Sequence, residues 1–244
     1  MSTDSNMLCS AEEWNGQWRR WFDCYSKGNP RLGKWLRASY NFSGAKTLEI
    51  GAGSGRESLF LSAVANHVTC VDFAPEAVEL LIGSGLPENM GALQADAASL
   101  PFSNNAFDFT FHKGVWILFA DNARVTAMLR EQLRVTKRIA LAIVQNSRNE
   151  TQVALARERA LNDPLFNIRF FDPEEMRQLA EDVISRTSNK ATVRVLKYGN
   201  PRLSRHLGFL GPFGEWLCAR IYRFLPWSCI ECVVLEIDFE TSDY

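Results

Sequence analysis

From residue 46 onward, short apolar runs alternate with amphipathic stretches, and this alternation constrains the fold more than any other feature of the chain. Runs at residues 47–50, 68–71, 92–95, 107–111 and 139–144 have the length of strands, and the second ends at Asp72. Residues 56–65, a stretch opening at Ala74-Pro75-Glu76, and residues 122–134 have helical spacing. Proline near a first helical turn is harmless, because that N–H has no partner inside the helix. Strand and helix in alternation predict an α/β fold, a doubly wound parallel sheet with helices on both faces.

The flanks differ in character. Residues 1–45 read as a helical N-terminal cap on a domain covering residues 46–244. Ser10 with Glu13 makes a capping-box pattern, and Trp14, Trp18, Trp21 and Tyr25 then recur at helical spacing. Gly28-Asn29-Pro30 breaks this helix, and a second over residues 30–40 carries Leu32, Trp35 and Leu36. These aromatics either pack on the domain or form a lid over a substrate pocket. In the last third, Asp172-Pro173 opens a helix running to about Val183, and residues 191–196 and 231–239 read as further strands. Between them lies an insertion at residues 199–227, punctuated by Gly and Pro, with a helical part at 213–225.

Composition sets outer limits. At 46% apolar and 23% charged, 244 residues can build one substantial core. The 27 basic and 28 acidic residues leave a net charge of −1, so no nucleic-acid partner is expected from global charge. No basic-then-apolar signal opens the chain, and apolar runs such as residues 115–120 fall far short of the roughly 18 residues that span a bilayer. The expected location is cytoplasmic. Six cysteines in that setting are not a disulfide framework. Cys229 and Cys232 form a C-x-x-C in a run that reads as a strand, where they face opposite sides as ordinary half-buried thiols. His67, His112 and His206 lack the spacing of a ligand set, and no metal is expected.

The segment that points to chemistry is Thr47-Leu48-Glu49-Ile50-Gly51-Ala52-Gly53-Ser54-Gly55-Arg56. A strand feeds a turn with three alternate glycines, and a helix follows. Glycine permits a tight turn and close ligand approach, and the N–H groups at a helix start can hold polar or anionic groups. A dinucleotide fingerprint needs a small residue three places after its second glycine. Counted from Gly51 that place holds Arg56, and counted from Gly53 it holds Ser58. The Gly-Lys-Ser/Thr ending of a phosphate-binding loop is absent.

The segment resembles the first motif of class I methyltransferases that use S-adenosylmethionine (SAM). The matching features are Glu49 at the strand end and the glycines at 51, 53 and 55. The likeness continues in order through Asp72-Phe73, Asp96-Ala97, Leu100-Pro101-Phe102 and Phe107-Asp108. It is strong over residues 46–146 and implies a Rossmann-like sheet of seven strands with the last antiparallel. It also implies SAM as cofactor, held by Glu49, Gly51, Ala52, Gly53, Ser54 and Gly55. Asp72 would take the ribose hydroxyls, since a carboxylate can accept from both members of a diol. Phe73 would lie against the adenine, with Asp96 and Ala97 at its polar edge.

The acceptor side rests on residues 111–119, which end the fourth strand. An Asn/Asp-Pro-Pro-Tyr-like motif, as in enzymes that methylate adenine or glutamine nitrogens, is missing there, and no cysteine stands nearby as a pyrimidine C5 nucleophile. The segment resembles small-molecule methyltransferases of the ubiquinone/menaquinone-biosynthesis-like, type 11, group. Gly114, Val115 and Phe119 match, while Trp116-Ile117-Leu118 replaces the usual polar pair. The reaction expected is methyl transfer to a small organic acceptor. His112 is the candidate base and a contact to the methionine part of SAM, since a neutral imidazole near pH 7 can take a proton. Trp18, Trp21, Lys113 and Trp116 are candidate acceptor contacts. Two alternatives stay open: a protein side-chain methyltransferase, because Lys113-Gly114 also resembles the Asp-Lys-Gly of some lysine methyltransferases, and a SAM-binding protein without transferase activity.

Residues 190–227 hold seven basic residues and one acid, Glu215, a net +6, which leaves −7 for the remainder. Such a segment, with aromatics interleaved, either contacts an anionic membrane surface or acidic substrate, or packs on the domain with its charges in water.

Overall fold

The computed structural model describes residues 7–8, 11–187 and 190–239. The capping serine expected at Ser10 lies outside them. In chain order the elements are α1 (Ala11–Ser26), α2 (Arg31–Ser39), β1 (Lys46–Ile50), α3 (Arg56–Ser62), β2 (His67–Asp72), α4 (Pro75–Gly83), β3 (Met90–Gln94) and β4 (Phe107–Lys113). They continue as α5 (Asn122–Val135), β5 (Thr136–Gln145), α6 (Glu150–Ala160), α7 (Pro173–Ser185), β6 (Ala191–Tyr198), α8 (Pro201–Leu207), α9 (Gly211–Tyr222) and β7 (Cys232–Phe239).

The strands form one sheet in the order β3-β2-β1-β4-β5-β7-β6. β1 to β5 pair in parallel, and β7 runs antiparallel between β5 and β6. The order reverses between β1 and β4. A crevice therefore opens beyond the carboxyl ends of these two strands, where open α/β sheets bind ligands. The glycine turn directly follows β1, so topology delivers it to that crevice.

The core lies on both faces, because parallel strands covered by helices are apolar on each side. One face packs Ala140, Ala142 and Val144 of β5 and Val233, Leu235 and Ile237 of β7 against Met128 and Leu129 of α5 and Met176 and Ala180 of α7. The opposite face packs Phe109, Phe111, Leu141 and Ile143 against Leu32, Trp35 and Leu36 of α2 and Cys218 and Tyr222 of α9. Alternate residues of β5 thus serve opposite layers, as the strand period requires.

Short polar side chains start the helices. Asp121 accepts from the Ala123 and Arg124 amides at 2.9 and 3.1 Å ahead of α5, and Asp172 accepts from Glu174 N at 2.8 Å ahead of α7. Two helices have no sequence forecast, α6 and α8. In α6 only Ala156 is buried, while Leu155 is exposed, so the helix carries no apolar stripe to read. The loop at residues 100–104 is pinned from α5. Arg134 donates to the Leu100 and Phe102 carbonyls at 2.9 and 2.7 Å, and Glu131 accepts from Leu100 N at 2.9 Å.

One expectation needs correction here. Cys229 does not lie in a strand with Cys232. It ends a short 3-10 turn, Trp227–Cys229, and is exposed, whereas Cys232 is buried at the start of β7. Pro226 sets up that turn before the strand can begin. No described helix is long and apolar enough to cross a membrane.

Trp35 fixes α2 to the sheet. It is buried, with its ring 5.2 Å from Tyr198 and 6.0 Å from Tyr40. Trp35→Ala is expected to lower unfolding free energy by about 3–5 kcal/mol, because a large buried ring leaves a cavity. Urea denaturation checks this: the midpoint falls while the slope stays constant.

Candidate active site

The glycine turn adopts the geometry that its residues permit. Gly51, Gly53 and Gly55 have φ of +65°, +52° and +63°, which L side chains rarely adopt. Space constrains them as well as φ. A Cβ at Gly51 would overlap the Val115 side chain, and one at Gly53 would overlap the Trp18 indole. A Cβ at Gly55 would sit 2.7 Å from Leu81 Cδ1. The turn is held by Ala52 N donating to Val71 O at 3.0 Å and by Gly55 N donating to Ala52 O at 2.8 Å.

Two carboxylates support the turn from inside. Asp72, buried at the end of β2, accepts from Gly53 N at 2.8 Å through Oδ2 and from Ala74 N at 2.9 Å through Oδ1. It therefore ties the glycine turn to the start of α4. Burial raises its pKa, and the amide bonds oppose that shift. Glu49, buried in β1, accepts through Oε2 from Ser58 Oγ at 2.5 Å and from Ser58 N at 3.2 Å. Burial pushes its pKa up to about 8 despite the Ser58 bonds. Its carboxyl group engages α3, so in this structure it positions the turn from behind. Ser58, excluded as a third fingerprint glycine, is the residue that fills this place.

Asp96 also has a protein partner. Its oxygens receive both hydrogen bonds from Arg124 Nη2, at 2.7 and 2.8 Å, and Oδ1 accepts from Ala98 N at 2.9 Å. Arg124 belongs to α5, and the chain separation of 28 residues hides this pair from sequence reading. Phe73 and Ala97 are half-buried beside these acids, and Ser54 is half-buried in the turn.

On the other side of the crevice, β4 ends at His112 and Lys113, which point to opposite faces. The His112 ring is 1% exposed and lies 4.7 Å from the Trp116 ring. Neither ring nitrogen has a hydrogen-bond partner, although both are buried. Burial lowers its pKa to about 3. The imidazole is therefore neutral at pH 7, as a candidate base must be, and burial makes it weakly basic. Lys113 is exposed on the far face, with Nζ 6.0 Å from the Tyr198 ring centre.

The aromatic candidates separate. Trp18 lies over Gly53 and stacks on Trp14 with ring centres 6.1 Å apart. Trp116 is fully buried between His112 and Phe171, as core rather than as an open wall. Trp21 is 41% exposed, with the Arg20 guanidinium 5.1 Å from its ring centre. Trp14, one of the aromatics read as packing or lid, has beside it Asn15, which sequence reading did not single out. Trp14 Nε1 and Asn15 Oδ1 are buried without partners, and Trp14 packs on the cluster that contains Trp116. Among the described residues, no group of three His, Cys, Asp or Glu side chains is placed to hold a metal.

Residues 48–144 match the family model described as a methyltransferase domain, of type 11. No curated protein sequence matches the chain. Solved structures share the fold at low identity. The plantazolicin methyltransferase, solved with a triazolic desmethylPZN analog and SAH, is 15% identical with a TM-score of 0.62, covering 94% of this chain and 93% of its own. A SAM-dependent methyltransferase from Thermotoga maritima is 17% identical with a TM-score of 0.57, covering 91% and 94%. Magnesium protoporphyrin IX methyltransferase from Synechocystis, solved with bound SAH, is 15% identical with a TM-score of 0.57, covering 85% and 80%. Sheet order, glycine turn and family match together define a class I methyltransferase that uses S-adenosylmethionine.

The two buried titrating groups push stability in opposite directions. Glu49 has its pKa raised from 4.5 to about 8, so its contribution is full below pH 4.5 and is lost as pH rises through 8. His112 has its pKa lowered from 6.5 to about 3, so its contribution is full above pH 6.5 and is lost as pH falls toward 3. Glu49→Gln is expected to flatten the loss of stability between pH 4.5 and 8, measured by denaturant unfolding across pH. An undiminished slope in the variant would refute the assignment.

Proposed function

We propose that this methyltransferase acts on a small, largely apolar organic acceptor. The observation that carries the reading is the crevice wall beside the glycine turn. It is aromatic, and buried polar atoms on and near its rings have no hydrogen-bond partner: both His112 nitrogens, Trp14 Nε1 and the neighbouring Asn15 Oδ1. A buried polar atom without a partner costs free energy, and a site that retains several is suited to a ligand that satisfies them. The plantazolicin and magnesium protoporphyrin relatives act on small organic molecules, which agrees with this reading.

The residues fit the cofactor. The turn at residues 51–55 has no side chain at three positions, which brings backbone amides within reach of a ligand. Asp72 has acceptor capacity beyond its two amide bonds and stands at the end of β2, where a ribose diol is expected. When bound, SAM supplies an electrophilic methyl group on a sulfonium centre.

The chain's own work is then binding and alignment. Gly51, Gly53 and Asp72 hold the cofactor side. Trp18 lies on Gly53, so α1 covers that side of the turn. His112 offers a neutral ring that can donate from one nitrogen and accept at the other. Holding reactants in line provides much of the acceleration in such a displacement, so His112 orients the acceptor and a strong base is not required. Lys113, on the opposite face, and Trp116, in the core, support the site from outside its wall.

Asp72→Ala is expected to weaken SAM binding by about 10–100-fold, the loss of one or two hydrogen bonds to a charged acceptor. Titration calorimetry with SAM and with its demethylated product measures it. Equal affinity in wild type and variant would remove Asp72 from the site. For His112, methyl transfer onto a metabolite extract is the assay. His112→Ala should lower turnover without introducing a new pH dependence between pH 5 and 8, roughly where an ordinary histidine titrates. A wild-type rate that rises with a pKa near 6.5, and a variant that lacks this rise, would restore the general base.

A further inference from the structure

The insertion between β6 and β7 has a face that its own fold leaves unexplained. Tyr198 pairs with Cys232, which pairs with Gln145, so the connection of residues 199–231 leaves and re-enters the sheet at its carboxyl edge. α9 packs one side inward through Gly214, Cys218 and Tyr222, at every fourth residue. Its other side should be polar if it faced only water. Instead Phe213 and Trp216 stack there with ring centres 5.6 Å apart and stand 58% and 39% exposed. Phe209, just before α9, and Phe224, just after it, are each 82% exposed. Within α9, positions 213, 216 and 220 are spaced by three and four, so one helical face gathers them, with Phe209 and Phe224 exposed at its two ends.

The charge on this face has one sign. Of the seven cations in residues 190–227, Arg194 is paired with Glu236 and Asp238, and Lys197 donates to the Arg223 and Leu225 carbonyls. Lys190 precedes β6 at its far end. Arg202, Arg205, Arg220 and Arg223 remain on the helical pair, all exposed, and among the described residues none has a carboxylate within ion-pair distance. With Glu215 the pair carries a net +3. The guanidiniums of Arg220 and Arg223 lie over Trp216 and Phe224, at 4.4 and 5.9 Å from the ring centres.

We propose that the α8–α9 face is an interfacial docking surface for an anionic lipid bilayer. Exposed aromatics that protrude together seek a less aqueous layer, and arginine stems can cover apolar surface while their heads reach phosphates. A protein partner fits less well, because the cores of protein interfaces are depleted of charge, and here cations interleave with the rings. Each arginine near an anionic leaflet adds attraction that salt screens. Docking of this face would bring the carboxyl edge of the sheet, with its crevice, toward the membrane surface.

The test is flotation of the full chain with phosphatidylcholine vesicles, with and without phosphatidylglycerol. Binding is expected only with phosphatidylglycerol and should fall with added salt. The double variant Phe209→Ser/Phe224→Ser should reduce the bound fraction by about tenfold or more, since removing buried apolar area at an interface lowers affinity steeply. Arg220→Glu/Arg223→Glu should reduce it similarly, and both variants should melt at the wild-type temperature. No binding to the anionic vesicles overturns the proposal. So does binding that both variants leave unchanged. A concentration-dependent dimer that the phenylalanine variant dissolves, without vesicle binding, overturns it in favour of a second copy of the chain.

Discussion

The site depends on one constraint, the closure of three left-handed glycines onto a buried aspartate. Gly53 N reaches Asp72 Oδ2 only because residues 51 to 55 bend back over the end of β1, and that bend requires positive φ at alternate positions. The same carboxylate holds Ala74 N and so sets the start of α4. Below the turn, Glu49 holds Ser58 and sets the start of α3. Two acids at two strand ends therefore align two helix N-termini around one turn. The positive ends of those helices face the crevice, which suits the polar groups of a cofactor.

A second layer of dependence runs through α2. Glu57 of α3 accepts from Gly33 N at 2.7 Å, and Arg56 beside it donates to the Tyr25 carbonyl. The N-terminal helices are thus anchored to the same segment that forms the turn. This anchoring places Trp18 on Gly53 and Trp14 beside the β4 end. The aromatics of α1 are both packing and cover, because the surface they pack on is the turn itself.

The legible parts of the chain were those in which residue type alone dictates geometry. Alternating glycines after a strand allow few backbones, so the turn was readable to the residue. The strand end at Asp72 followed from its apolar run, whereas the fourth run, read to Phe111, continues as strand to Lys113. Less was legible where a partner comes from far along the chain. Arg124 on Asp96, and Arg134 on the loop at residues 100–102, are contacts across about thirty residues and leave no local mark. Cys229 was misplaced because an apolar run gives no sign of where a 3-10 turn yields to a strand. The net charge of residues 190–227 was also resolved only in space. Two of its cations serve the protein internally, and two, Arg220 and Arg223, lie over exposed aromatic rings.

Sequence by itself determined the class of fold, the place of the glycine turn and the acids that flank it. These follow from backbone freedom at glycine and from strand and helix periods, which are local properties. Only the tertiary structure decided the state of each polar group. His112, read as a candidate base, is buried against Trp116 without a hydrogen-bond partner, and this burial lowers its basicity. Glu49, read as a cofactor contact, is buried and accepts from Ser58, a support that its residue type does not reveal. Solvent access and the identity of the nearest dipole set these outcomes, and both are properties of the folded chain.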